Sequence, residues 1–107
     1  MDARDQYERY RNDQTALAAI GAHLEPQVSR IRVRLPRSLA ELAVAAWNRE
    51  ELGQIGEESR EEYELRNDAA ELALIGLAIS ERGVWDGPEA TVDLDVVHIA
   101  AALRAAQ

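Results

Sequence analysis

The chain has 107 residues and a formal net charge of −8, with twelve arginines, nineteen alanines and no lysine, phenylalanine or cysteine. That length supplies one hydrophobic core and not two, and the missing cysteines exclude disulfides, thiolate metal sites and thiol catalysis. Residues 1–56 hold eight arginines and eight acids, whereas residues 57–107 hold four arginines and twelve acids, which excludes a uniformly basic nucleic-acid footprint.

In chain order, residues 4–24 read as a first helix with Tyr7, Tyr10, Leu17, Ile20, Gly21 and Leu24 near one face, ended by Glu25-Pro26. In residues 30–35, Arg30, Arg32 and Arg34 alternate with Ile31, Val33 and Leu35, the pattern of a half-buried strand. Pro36 fits the junction, where its fixed φ and missing N–H do no harm. A second helix follows over 37–50 with the stripe Leu39, Leu42, Ala43, Ala46, Trp47, closed by Gly53 and Gly56. Ser59-Arg60-Glu61-Glu62 has the S-x-x-E form of a capping box and starts a helix that runs through Leu65, Leu72, Ile75 and Ile79 to Gly83. It is apolar nearly all round from Leu72 and is expected to be central. Trp85-Asp86-Gly87-Pro88 reads as a turn, Thr91–Val96 as a second alternating strand, and Val97–Ala106 as a last helix.

The halves resemble each other. Tyr10–Leu24 aligns without gaps on Leu65–Ile79, matching at Arg-Asn-Asp and again at Ile-Gly, and each segment precedes a strand and a helix. Val33-x-Leu35 then matches Val92-x-Leu94, and Leu39-Ala40 matches Ile99-Ala100 after a one-residue adjustment. The expected fold is therefore α+β, mostly α: four helices and a two-stranded antiparallel ribbon in one domain, with repeat halves at about 4–50 and 59–106 forming an internal pseudo-dimer. Pairing the strands would set Arg30, Arg32 and Arg34 against Asp93 and Asp95. A mid-helix glycine costs about 1 kcal/mol relative to alanine, so Gly21 and Gly76 predict that their two helices approach each other closely.

Residues Arg30–Trp47, with their alternation, Leu-Pro junction and helix stripe, resemble the start of a ribbon-helix-helix DNA-binding protein. The resemblance implies that Arg30, Arg32 and Arg34 read bases while the inward residues build the core. The chain departs from that pattern in its next helix, whose N-terminus in the family meets phosphate but here begins Glu57-Glu58-Ser59-Arg60-Glu61-Glu62.

No sequence motif indicates catalysis. Gly53-Gln54-Ile55-Gly56 lacks the context of a phosphate loop, no serine lies in a nucleophile elbow, and His23 and His98 have no partner at ligand spacing. Glu57, Glu58, Glu61, Glu62 and Glu64 could hold a hard cation, but acids at a helix N-terminus are favourable by themselves. The expectation is a small acidic, non-enzymatic interaction or regulatory module without cofactor or metal. It would bind a basic protein partner through the acidic surface of residues 57–68 and 86–95, with Glu57, Glu58, Glu61, Glu62 and Glu64 as the candidate contacts. The alternatives are a DNA-binding regulator using Arg30, Arg32 and Arg34, and a homodimer or larger homo-oligomer using the apolar helix Leu72–Ile79. That run is too short to span a membrane and Met1–Asp5 lacks a signal pattern, so a cytoplasmic location is expected. The arginine-only, alanine-rich composition points to a GC-rich bacterial genome.

Overall fold

The computed structural model describes residues 3–27, 31–49 and 59–107. Helix α1 (Ala3–Leu24) ends in a 3-10 turn (Glu25–Gln27) and is followed by strand β1 (Arg32–Pro36), α2 (Arg37–Arg49), α3 (Arg60–Arg82), β2 (Val84–Asp86), β3 (Glu89–Asp93) and α4 (Val96–Ala105). The protein is thus α+β and mostly helical, as its periodicities predict. The capping box forms: the Ser59 hydroxyl accepts the Glu62 N–H at 3.1 Å. Gly83 ends α3 in extended backbone with its N–H on the Ile79 carbonyl. The expected closure of α2 by Gly53 and Gly56 lies outside the described residues.

The sheet has three antiparallel strands in the order β1-β3-β2, not the expected two. Val84-Trp85-Asp86 pairs back on β3 around Gly87-Pro88, where Gly87 takes φ 59°. A two-residue hairpin loop needs positive φ at its first position, which glycine adopts without steric cost. Arg37 locks this hairpin to α2. Its backbone N–H donates to the Pro88 carbonyl, its Nε to the Gly87 carbonyl, and its guanidinium lies 5.0 Å from the Trp85 ring centre. The expected strand 91–96 is displaced to Glu89–Asp93, because Asp95 occupies the N-cap position of α4 and Val96 already belongs to the helix.

Register places Arg32 opposite Asp93, Val33 opposite Val92, Arg34 opposite Thr91 and Leu35 opposite Ala90. The inward row Val33, Leu35, Ala90 and Val92 is buried against Leu17, Ile20, Leu24, Leu72, Ile75 and Ile79. A one-residue slip would expose that row, so burial fixes the register. In the run Leu72–Ile79, read as a possible oligomer surface, Leu72, Ile75 and Ile79 are buried in this core while Leu74 and Leu77 are half-buried. A second cluster joins Tyr10, Leu65 and Ala69, with the Tyr7 and Tyr10 rings edge to face at 5.8 Å.

Gly21 and Gly76 do mark close approaches, but not to each other. A Cβ on Gly21 would run into the carbonyl of Ala102 in α4, and one on Gly76 into the carbonyl of Ala43 in α2. Gly76 follows Gly21 by 55 residues, while Val92, Leu94 and Ala102 each follow Val33, Leu35 and Ala43 by 59. The longer offset accommodates β2, which only the second half carries. Helix α1 therefore packs on α4 and α3 on α2, and Val33 pairs with Val92 in the ribbon.

Candidate functional site

Two surfaces contain the residues singled out by sequence. The first is the outer face of the sheet. Pleating sends Arg32 and Arg34 away from the core. Arg32 Nε donates to Asp93 Oδ1 at 2.9 Å, with Nη2 3.4 Å from Oδ2, and Arg82 Nε donates to the Asp93 carbonyl at 2.9 Å. The hydrogen bond from Arg32 holds the Asp93 carboxyl below its ordinary pKa, and the same contact raises that of Arg32. The expected self-neutralised ribbon is therefore realised at Arg32. Arg34 is exposed opposite the uncharged Thr91. Asp95 is exposed at the start of α4 and makes no side-chain capping bond, and Arg30 lies outside the described residues. The free edge of β1 is closed by Gln27, whose amide accepts the Arg34 N–H at 3.0 Å and donates to the Arg34 carbonyl at 3.1 Å.

The second surface is the acidic start of α3. Glu61 and Glu64 are exposed and Glu62 is half-buried, and Glu64 Oε1 lies 3.5 Å from Arg60 Nε. Glu57 and Glu58 lie outside the described residues. Because α1 packs alongside α3, Glu61 and Glu62 share a cleft of about 440 Å³ with Tyr7, Glu8, Arg11 and Leu65. One turn further on, Glu64 and Tyr63 line a second hollow of about 520 Å³ with Gln14, Asn67, Asp68 and Arg104. Tyr63 is 55% exposed, with Arg66 5.5 Å from its ring centre. Sequence reading assigned Tyr63 no role. Its signal was an aromatic residue off the apolar stripe, between Glu62 and Glu64.

The remaining candidates have structural partners. His98 Nδ1 lies 2.9 Å from Glu71 Oε2, joining α4 to α3 across a gap of 27 residues that no local motif reveals. His23 is exposed near the end of α1. Asp13, 8% exposed, accepts two hydrogen bonds from Arg49 Nη2, at 2.7 and 2.9 Å. Trp47 packs on the core edge, whereas Trp85 is 38% exposed. Among the described residues, no three histidine or carboxylate side chains converge to hold a metal, and no helix is long and apolar enough to cross a membrane. Comparison with protein-family models, curated proteins and solved structures found no match.

Proposed function

We propose that this chain is a small acidic, non-enzymatic protein-interaction module that engages a basic partner through the first two turns of α3. Tyr63 carries this reading. A large aromatic side chain left 55% exposed offers an apolar anchor on a helix turn that also carries Glu61, Glu62 and Glu64, with Arg66 over its ring. Tyrosine is enriched among residues that dominate binding energy at interfaces, and complementary charge accelerates encounter with a basic surface. The α1–α3 cleft brings Glu8 of α1 beside Glu61 and Glu62, together with Arg11. Antitoxins, immunity proteins, adaptors and inhibitors are the functional classes that use such a surface.

The test is affinity capture from the native host at low salt, with wild-type protein beside a Glu61→Arg/Glu62→Arg/Glu64→Arg variant. A basic protein retained by the first and lost by the second is expected. Equal capture by both, or no capture, rejects the reading.

A DNA-binding regulator is the second reading. It is favoured by the strand-helix-helix order of β1, α2 and α3, as in the ribbon-helix-helix resemblance, and by exposed Arg34. It ranks lower because the major groove admits a two-stranded ribbon, about 5 Å between strands, and β2 widens this sheet by a third strand. Arg32 is already engaged by Asp93. Salt-sensitive retention of DNA fragments, lost in Arg32→Ala and Arg34→Ala, would reverse the ranking.

A further inference from the structure

The helices cover only one face of the sheet. On the other, register and pleating lay the side chains out in three rows about 7 Å apart: Arg32 beside Asp93, then Arg34–Thr91–Val84, then Pro36–Glu89–Asp86. Arg82 joins the first row through its bond to the Asp93 carbonyl. Arg32, Arg34, Val84, Asp86 and Glu89 are all exposed.

This face carries three arginines, Arg32, Arg34 and Arg82, and three acids, Asp86, Glu89 and Asp93, so it sums to zero on a chain of net charge −8. Two copies meeting at the acidic start of α3 meet acid with acid, whereas this face brings no local excess of like charge. The charges are also separated. Arg32 and Arg34 lie on β1, and Asp86 and Glu89 lie at the diagonally opposite corner, where β2 turns into β3. Among the described residues, neither Arg34 nor Glu89 makes an ion pair within the chain.

We propose that two copies of this chain associate face to face through this sheet surface. The two-fold axis lies between the sheets, perpendicular to the line from the β1 arginines to the β2–β3 turn. Such an axis sets each arginine corner over the other copy's acidic corner, so that Arg34 meets Glu89 of the second copy and Arg32 meets its Asp86. Strands of the two sheets cross steeply, in the orthogonal mode of sheet packing. Thr91 lies on the axis beside Val84, which is 63% exposed, and Arg82 sits at the rim in water. A two-fold contact repeats every pair, so each complementary contact counts twice. Exposed ion pairs are individually weak and are screened by salt, so the dimer is weak and salt-sensitive.

The experiment is sedimentation velocity over a concentration series at about 0.1 M and about 1 M salt, which changes the screening length from about 10 Å to about 3 Å, so that at the lower salt the net charges of the two copies are already largely screened while the contacting pairs are not. A low-salt dimer is expected, with association falling by about tenfold or more at high salt. Arg34→Glu and Glu89→Arg each create two like-charge contacts, and each alone should weaken low-salt association by about tenfold or more. An equimolar mixture of the two variants makes both contacts opposite again and should restore association, as should Arg34→Glu/Glu89→Arg in one chain. Monomer throughout at low salt, dimerisation indifferent to both single reversals, or no recovery on mixing would each overturn the proposal.

Discussion

Gly76 of α3 lies directly against the backbone carbonyl of Ala43 in α2, leaving no room for a Cβ. A side chain there cannot be accommodated by a rotamer change, because the obstacle is backbone. Gly76→Leu should force α2 and α3 apart and cost about 2 kcal/mol or more in thermal or denaturant unfolding. Ala22→Leu, on the exposed side of α1, should stay within about 0.5 kcal/mol. A Gly76→Leu variant as stable as wild type would remove the close approach from the account of this fold.

Asp13 and Arg49 should behave as a coupled pair. Arg49→Ala removes two hydrogen bonds from a carboxylate that is 8% exposed, at a cost of about 2–4 kcal/mol. Asp13→Ala in the same chain should recover part of that loss, since it removes the buried charge that Arg49 had balanced. A double-mutant cycle measures the coupling, and additive losses would show that the two residues act independently.

The Arg32–Asp93 contact sets the sign of one pH effect. The folded-state pKa of Asp93 is lowered, so its contribution to stability is present above the ordinary carboxylate range and is lost as pH falls through the lowered value. Arg32 is raised and stays protonated throughout that window. In an NMR titration of the Asp93 carboxyl, Arg32→Ala should move the midpoint upward toward the ordinary range. An unmoved midpoint would mean that the hydrogen bond does not hold the carboxylate in solution.

Tyr63 should separate binding from stability. Tyr63→Ala is a change at an exposed helix position and should shift unfolding by no more than about 0.5 kcal/mol. It should nevertheless weaken capture of the basic partner by about tenfold, as expected of an aromatic anchor. Quantitative pull-down beside a melting curve reads both, and unchanged capture would remove Tyr63 from the interface.

Gln27 tests how the β1 edge is kept from pairing with other chains. Its amide occupies both backbone groups of Arg34, so Gln27→Ala frees an N–H and a carbonyl on an edge strand. A loss of about 1 kcal/mol and faster aggregation by light scattering are expected.

The helices and the ribbon strands were legible because their apolar residues repeat at the periods that backbone geometry imposes. Ser59 and Glu62 announced the start of α3 because a capping box is a local hydrogen-bond pattern. Three residues of β2, all of them exposed, leave no alternation to detect, and the Arg37 bonds that hold their turn at Gly87 and Pro88 come from 50 or more positions away. Tyr63 looked unremarkable because a helical pattern records which residues leave the apolar stripe, not what surrounds them once a second helix packs alongside.

The sequence by itself determined the element types, the burial of Leu72–Ile79, the matching halves and the opposite charges of Arg32 and Asp93, all of which follow from local spacing and composition. Only the tertiary structure decided which helix each glycine admits, that a third strand flanks the ribbon, that Asp13 is paired with Arg49, and that Arg34 faces solvent while Arg32 does not stand alone. The division has one physical cause. Periodicity specifies which face of an element is apolar, but packing all the faces together selects which elements share it, and with that the charges left facing water.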